Sequence, residues 1–261
     1  MPTNPPTTTA IRIEVDGPVG RITLDRPDKL NALSRAALEE LAEAAAWLDG
    51  RDDVKVVVVA GAGRAFCAGF DLTDASWAEL GPLEESAVVG RAMAEAIGGM
   101  RALTIAAIHG HCIGGGVVLA SACDLRIAGT GARFRIPEVD LGIPLMWTGV
   151  PRLTRELGPA LTKELVLTGR SFDAREAASI RFLNRVVEDG ELAAETQALA
   201  DELAAKPTLV LRTTKQQVEE AAPSVPGDDG ARADVAVFAA AFADPECQAM
   251  AAGYQRPGAG G

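Results

Sequence analysis

The chain has 261 residues, of which 48% are hydrophobic and 23% are charged, and its formal net charge is −11. This length fits one large domain or a core with a small appendage, and the composition is ordinary for a globular protein. The negative charge argues against nucleic acid and against the anionic face of a membrane, because both need a basic protein surface. Backbone N–H groups can still bind a small anionic ligand.

The N-terminus and the cysteines indicate a reducing compartment, and we expect a cytoplasmic location. Residues 1–10 lack the basic and apolar segments of a signal peptide and are expected to be disordered. Residues 102–123 contain no Asp, Glu, Lys or Arg, as in a membrane span, but their two histidines and four glycines favour a buried strand–turn–helix. No cysteine lies in a CxxC pair or in metal-ligand spacing, and no metal is expected. The four are Cys67, Cys112, Cys123 and Cys247.

The first half of the chain alternates strands with helices. Two short alternating segments on either side of Asp16 and Gly17 predict a β-hairpin. Ser34 is suited to cap the helix that follows it, and runs of β-branched residues predict buried strands. The predicted strands are Ile11–Val15, Arg21–Leu24, Val54–Ala60, Thr104–Ile108, Leu125–Ala128 and Arg133–Ile136. The predicted helices are Arg35–Leu48, Glu84–Met100 and one that begins at Val117.

The second half of the chain is mostly helical. Helices are predicted over Leu161–Leu167, Ala174–Ser179, Glu191–Ala205 and Leu209–Ala222, with a short strand at Arg185–Val187. Pro223–Gly230 is rich in Pro, Gly and Asp and predicts a linker before a last helical region, Ala231–Gly253. We therefore expect a core over residues 11–205 and a C-terminal helical region over residues 206–261.

Two buried strands each run into a glycine-rich turn, residues 61–69 and 110–116. Glycine lets the backbone approach a ligand, and the start of a helix adds unpaired N–H donors. If the two turns face one point, they form an oxyanion hole. The alternative is that the glycines only make turns. A dinucleotide-binding reading of the second turn fails, because its spacing is not GxGxxG.

Several motifs in order resemble those of the crotonase (enoyl-CoA hydratase/isomerase) superfamily. They are Arg26–Leu33, Gly63–Leu72, Ala107–Gly116, Cys123–Arg126, Pro137–Gly142, Leu167–Arg170 and Leu183–Val186. The sequence around His109 and Glu138 is most similar to that of the dienoyl-CoA isomerase branch. The resemblance implies an α/β spiral of repeated ββα units with a C-terminal helical trimerisation region, assembled as a homotrimer or hexamer. It also implies an acyl-CoA substrate and no separate cofactor.

The resemblance further implies which residues form the site. The oxyanion donors are the N–H groups of Phe70 and Gly115. Arg256 approaches a CoA phosphate, and Trp77 and Trp147 line the acyl pocket or pack near it. The CoA groove is lined by Asp28, Lys29, Leu30, Ala68, Asp71 and Leu72.

The sequence departs from the family in its acidic residues. Hydratases of this family use two glutamates, and only the second is present, as Glu138. Val118 stands at the position of the first, and Met146 stands where the dienoyl isomerases carry a third acidic residue. One carboxylate can still carry a proton between two carbons, as in the Δ3,Δ2-enoyl-CoA isomerases. Burial beside these apolar residues is expected to raise the pKa of Glu138.

Several alternatives remain open. One is a hydratase in which Asp140 or one of the histidines, His109 and His111, replaces the missing glutamate. On a strand, Asp140 would share a face with Glu138, but a polar role at the rim of the site is favoured. Another is that Glu138 is only a solvated or ion-paired side chain. A further alternative is that loss of the first glutamate left a non-catalytic acyl-CoA binding protein. A Ser-His-Asp peptidase that uses Ser121 is the last alternative, although no serine lies in a nucleophile turn.

Overall fold

The computed structural model describes residues 4–74, 84–222 and 228–254. Its central sheet has the strand order β1-β2-β3-β4-β6-β9. The first two strands form the predicted antiparallel hairpin, and all later pairings in this sheet are parallel. The strands are β1 Ile11–Asp16, β2 Val19–Leu24, β3 Val56–Gly61, β4 Leu103–Ile108, β6 Leu125–Gly129 and β9 Arg185–Val187. A second, smaller sheet holds β5 His111–Ile113, β7 Arg133–Arg135 and β8 Phe172–Asp173.

Helices cover both faces of the central sheet and form the C-terminal part of the described chain. Short 3-10 helices occur at Pro27–Lys29, Glu138–Leu141 and Asp189–Glu191. The α-helices of the core are α1 Arg35–Asp49, α2 Glu84–Gly98, α3 Gly115–Ala122, α4 Gly149–Leu157, α5 Pro159–Thr168, α6 Ala174–Ser179 and α7 Leu192–Ala204. Those that follow are α8 Thr208–Ala221, α9 Asp228–Ala243 and α10 Pro245–Tyr254.

The β-branched run in β3 forms a strand because both of its faces are buried. Val57 and Val59 belong to the main hydrophobic core, which includes α1, whereas Val56 and Val58 belong to a second cluster that includes α7. Alternate side chains of a strand point to opposite faces, so a strand covered on both sides is apolar throughout. The Ser34 hydroxyl accepts a hydrogen bond from the N–H of Ala37 at 3.2 Å and caps α1, as predicted.

Several segments differ from the sequence-based expectations. Strands β5 and β8 and helix α4 were not predicted, and the last helical region is two helices that meet at Asp244. The predicted linker is partly wrong, because Asp228 already begins α9, and residues 223–227 lie outside the described ranges. The expected N-terminal disorder does not apply to Thr9 and Ala10, whose N–H groups donate to the Glu40 carboxylate.

The uncharged segment 102–123 is built into the core of the protein. It forms β4, β5 and α3, as the predicted strand–turn–helix requires, with the extra short strand inside the turn. Among the helices in the described ranges, none is long and apolar enough to cross a membrane.

Candidate active site

The two glycine-rich turns meet, and glycine is required where they touch. Gly69 has a φ of +88°, and a Cβ atom there would lie 2.7 Å from the Ile113 carbonyl oxygen and 3.3 Å from the Gly115 nitrogen. Any side chain at Gly69 would therefore push the turns apart. Gly115 is the first residue of α3, where N–H groups have no carbonyl partner within the helix. Phe70 and Gly115, the residues whose N–H groups are the predicted donors, both line one cavity.

Backbone hydrogen bonds fix the two turns to each other. The N–H of Cys67 donates to the His111 carbonyl at 2.9 Å, and the N–H of Ile113 donates to the Cys67 carbonyl at 2.9 Å. The N–H of Leu33 donates to the Gly69 carbonyl at 2.7 Å. The backbone around Phe70 and Gly115 is therefore preorganised, which is what electrostatic stabilisation of a developing oxyanion needs.

The cavity at this junction has a volume of about 50 Å³ and contains one carboxylate, Glu138. The other lining residues are apolar. They come from both turns, from the segment before α4 and from α9. The lining residues are Phe70, Gly115, Val118, Glu138, Ile143, Pro144, Leu145, Met146, Trp147 and Phe238. Val118 and Met146, which stand where family members carry other acidic residues, both line this cavity.

Glu138 is buried without the partners that usually stabilise a buried carboxylate. Glu138 is the first residue of the 3-10 helix that follows β7, and the residue is 9% exposed. Its Oε1 atom lies against Gly114, where any Cβ atom would overlap it, and its Oε2 atom accepts no hydrogen bond from a described residue. Burial, opposed by the residue's own N–H, raises the pKa of Glu138 to about 7. The alternative of a solvated or ion-paired Glu138 is wrong.

Asp140 does not share a face with Glu138, so it is not placed as a substitute for the missing glutamate. The two residues lie on a 3-10 helix instead of a strand, so their side chains diverge. The Asp140 carboxylate pairs with the Arg135 guanidinium at 2.9 Å, and Arg135 also donates to the Gly169 carbonyl at 2.8 Å. Asp140 therefore anchors the turn that carries Glu138 and does not line the cavity.

Neither histidine lines the cavity formed by the described residues. The His109 Nε2 atom lies 2.9 Å from the Gly63 carbonyl oxygen and holds the first glycine-rich loop, whereas His111 is exposed on β5. The Ser121 hydroxyl is buried in α3 and donates to the Val118 carbonyl at 2.8 Å. Ser121 is therefore not placed as the nucleophile that the peptidase alternative needs.

The residues expected to line the CoA groove come from two segments of the chain, residues 28–30 and residues 68–72. Asp28 and Lys29 are exposed on the first 3-10 helix, and Leu72 is 59% exposed. The N–H of Ala68 donates to the Leu30 carbonyl at 2.9 Å, so the two predicted segments are in contact. Their contact with CoA stays a prediction.

Asp71 is different, because its carboxylate is already occupied. The residue is 4% exposed, and its oxygens accept from Arg26 at 2.8 Å and from the Thr73 hydroxyl at 2.7 Å. Burial would raise the pKa of Asp71, but the hydrogen bonds from Thr73 and Arg26 outweigh burial and lower it. Its side chain therefore holds the loop in place.

Asn31 is a positioning residue that the motif contains but that sequence reasoning assigned no role. It is 1% exposed and has a φ of 57°, a left-handed conformation that Asn tolerates better than most residues. Its amide donates to the Ala62 and Ala65 carbonyls at 2.8 and 2.7 Å, and its Oδ1 atom accepts from the Arg26 N–H at 3.0 Å. Asn31 thus joins the CoA-side loop to the first glycine-rich turn.

A larger groove of about 650 Å³ lies elsewhere, between α3, α4 and α8. Six of its charged side chains form three ion pairs: Arg126 with Glu156 at 2.7 Å, Lys215 with Asp124 at 2.7 Å, and Arg155 with Glu219 at 2.9 Å. The smaller cavity is the better candidate for chemistry, because it combines a buried carboxylate outside the ion pairs of the described residues with the two glycine-rich turns.

Within the described ranges, no group of three or more His, Cys, Asp or Glu side chains is arranged to hold a metal ion. Cys67, Cys112 and Cys123 are buried, as predicted, and burial raises the pKa of each thiol. The predictions for Trp77 and Arg256 fall outside the described residues.

The sequence matches a known protein family over most of its length. The sequence model of the enoyl-CoA hydratase/isomerase family matches residues 14–256. A probable enoyl-CoA hydratase of Mycobacterium bovis is 36% identical over 246 residues, which is 93% of each chain. A short-chain-enoyl-CoA hydratase of Clostridium acetobutylicum is 32% identical over 209 residues, which is 79% of each chain.

Solved structures confirm the predicted fold class. An enoyl-CoA hydratase from Mycobacterium avium subsp. paratuberculosis matches with a TM-score of 0.86 over 95% of this chain and 99% of its own. Its identity is 22%, so this likeness concerns the fold alone. A Thermobifida fusca protein solved in complex with CoA is 31% identical and matches with a TM-score of 0.77 over 95% of this chain and 99% of its own.

Proposed function

The chain belongs to the enoyl-CoA hydratase/isomerase family, and we propose that within it the protein moves a double bond along an enoyl-CoA, from C3=C4 to C2=C3. One observation carries this proposal: a single buried carboxylate, Glu138, faces a cavity whose other walls are apolar. Such a group can accept and return a proton, but Val118, at the position of the family's first glutamate, cannot transfer one.

The reaction needs one base and one oxyanion site. Ionised Glu138 takes a proton from C2 of a 3-enoyl thioester, and the electron pair moves onto the carbonyl oxygen to give a dienolate. The N–H groups of Phe70 and Gly115 stabilise that oxygen, and a donor of this kind contributes about 3–4 kcal/mol in other enzymes. The dienolate then takes the same proton from Glu138 at C4, so one C–H bond breaks and one forms.

The pKa of Glu138 suits both halves of this cycle. At a pKa of about 7, the carboxylate is a stronger base than an exposed glutamate and is still ionised in an appreciable fraction at neutral pH. Because the walls beside it are apolar, the proton has few competing acceptors while it is held.

Hydration of a 2-enoyl-CoA is the second candidate, favoured by the names of the relatives. In that reaction water adds to C3 and Glu138 supplies the proton to C2. The water would have to be activated without a second carboxylate, which makes this the less favoured reaction. A non-catalytic acyl-CoA binding protein is the third candidate.

The first experiment gives purified protein 3-butenoyl-CoA and, separately, crotonyl-CoA, and follows the products by chromatography and mass spectrometry. The proposal predicts crotonyl-CoA from the first substrate and slow or no addition of water to the second. Rapid hydration of crotonyl-CoA without isomerisation would establish the second candidate instead. Binding of both thioesters without turnover of either would establish the third.

We further propose that the protein is a homotrimer or a dimer of trimers, built through its C-terminal helices. Helix α8 exposes Leu209, Val210 and Val218, which are 78%, 58% and 58% exposed. Apolar side chains grouped in this way favour a protein partner. Light scattering coupled to size-exclusion chromatography measures the assembly, and a monomer at micromolar concentration would contradict it.

A further inference from the structure

Trp147 has a backbone conformation that a bulky side chain rarely adopts. Its φ is +61°, and Thr148 after it has a φ of +59°. Such a conformation persists only where surrounding contacts impose it, and strain of this kind concentrates at functional sites.

Named contacts hold this strained pair in place. The Thr148 hydroxyl donates to the Trp147 carbonyl at 2.5 Å and accepts from Arg152 Nε at 3.1 Å. Arg152 also donates to the Ala94 carbonyl in α2 at 3.0 Å. The turn that carries Trp147 is therefore tied to α4 on one side and to α2 on the other.

The strained backbone delivers the indole ring into the active site. A Cβ atom added at Gly115 would overlap the ring, and so would one added at Gly90 in α2. The ring also lies beside Phe70, with a centroid separation of 6.0 Å and an angle of 60° between the ring planes. Trp147 thus fills the space between α2 and the two proposed oxyanion donors, and two glycines make room for it.

The space that remains beside Glu138 is small. Its volume is about 50 Å³. For comparison, an apolar cavity of about 150 Å³ in another protein holds one benzene molecule. One third of that volume has room for about two carbon atoms. Under the proposed function these follow C1 to C4 of the acyl group, which lie at the oxyanion donors and at Glu138.

From this geometry we infer that Trp147 sets the length of the acyl group and limits the protein to short acyl-CoA thioesters of about four to six carbons. The inference rests on the proposed function in one respect, namely that the acyl group lies in the cavity beside Glu138. The indole ring acts as the end wall of the acyl site, and Arg152 is the positioning residue that keeps its backbone in place.

The test measures binding of saturated acyl-CoAs, which do not react, by titration calorimetry. The parent protein is expected to bind butyryl-CoA at least about tenfold more tightly than octanoyl-CoA, since a pocket that ends abruptly discriminates by single methylene groups. Trp147→Ala is expected to abolish this preference, so that octanoyl-CoA binds at least as tightly as butyryl-CoA. Trp147→Gly removes the backbone strain as well and gives the same result in a protein that folds more readily.

Trp47→Ala is the matched control. Trp47 is also buried, at 8% exposure, but it lies in α1 against Arg51 and does not line the cavity. This variant is expected to keep the parent preference for butyryl-CoA. A parent protein without that preference, or one whose preference survives both Trp147 substitutions, would overturn the inference. The binding experiment measures no turnover. A protein that does not isomerise 3-enoyl-CoA can therefore still show the expected preference for butyryl-CoA, so failure of the proposed function is distinguished from failure of this inference.

Discussion

Two carboxylates in this protein are equally buried and have opposite surroundings. Glu40 and Glu138 are each 9% exposed. The Glu40 oxygens accept four hydrogen bonds from the N-terminal segment, three from the N–H groups of Thr9, Ala10 and Ile11 and one from the Thr9 hydroxyl. The Glu138 Oε2 atom accepts none from the described residues, although backbone donors line the same cavity.

This difference in hydrogen bonding separates a carboxylate with a structural role from one that is suited to proton transfer. Hydrogen bonds to a carboxylate favour its charged form, whereas burial without them favours the neutral form and raises the pKa. Glu40 therefore holds β1 onto α1, and Glu138 is left ready to exchange a proton. Burial alone would not have distinguished the two residues.

The largest expected effect is on turnover. Glu138→Gln is expected to lower kcat for 3-enoyl-CoA isomerisation by about 10²–10⁴-fold, the usual contribution of a general acid–base group, while acyl-CoA binding persists. Glu40→Gln, the matched substitution at the other carboxylate, is expected to change kcat by less than about threefold, since Glu40 lies outside the cavity. Equal losses in the two variants, measured by steady-state kinetics, would remove the distinction.

The next effect concerns pH. The base must be ionised, so kcat/KM for isomerisation is expected to rise with pH through a midpoint of about 7 and then level off. A flat profile between pH 5 and pH 9 would show that Glu138 does not titrate as the base; that range spans about two pH units on either side of the midpoint.

Ionisation of Glu138 is also expected to destabilise the folded state at alkaline pH. Its pKa is about 7 in the folded chain and 4.5 when unperturbed, so the folded state binds more protons between these values and stability falls as pH rises through them. At about 1.4 kcal/mol for each pH unit, the full cost above pH 7 is about 3 kcal/mol. Glu138→Gln is thus expected to be more stable than the parent above pH 7 and not below pH 4.5. Urea unfolding at both pH values measures this, and a pH-independent difference would contradict it.

Glu40→Gln is expected to have the opposite sign. The amide nitrogen of Gln would face N–H donors that now bind a carboxylate oxygen, so about 1–3 kcal/mol of unfolding free energy is lost at neutral pH. Thermal and urea unfolding measure the loss, and a variant as stable as the parent would show that these four hydrogen bonds are not needed.

The smallest effect is expected at Asp140, the neighbour of Glu138 in the same 3-10 helix. Its ion pair with Arg135 joins side chains that are 40% and 29% exposed, and pairs of this kind contribute about 0–1 kcal/mol. Asp140→Asn is therefore expected to lower stability by less than about 1 kcal/mol and kcat by less than about threefold. A loss of turnover as large as that of Glu138→Gln would make Asp140 a second acid.

The sequence predicted what depends on local pattern. The β1–β2 hairpin, the buried strand β3 and the capped helix α1 follow from residue alternation, β-branched runs and Ser34, and each is confirmed. Helix α4 was missed because Gly149 and Pro151 in its first turn interrupt the helical pattern.

The chemistry of the site depends on contacts between distant residues, which local pattern does not contain. Nothing near Trp147 in sequence indicates that its ring meets Gly90 and Gly115, and its left-handed backbone contradicts the preference of a bulky residue. The raised pKa of Glu138 was predicted, because apolar Val118 and Met146 could be aligned to it through the family motif. A shared face for Asp140 and Glu138 required a strand, whereas the two residues lie in a 3-10 helix.

The most direct test of the account follows one labelled proton. 3-Butenoyl-CoA carrying deuterium at both C2 positions is converted in ordinary water, and the product is analysed by NMR and mass spectrometry. If Glu138 alone carries the proton, deuterium moves from C2 to C4 of crotonyl-CoA, and Glu138→Gln gives no product above background. A product whose C4 has gained hydrogen from the solvent and no deuterium, formed equally well by Glu138→Gln, would contradict the account.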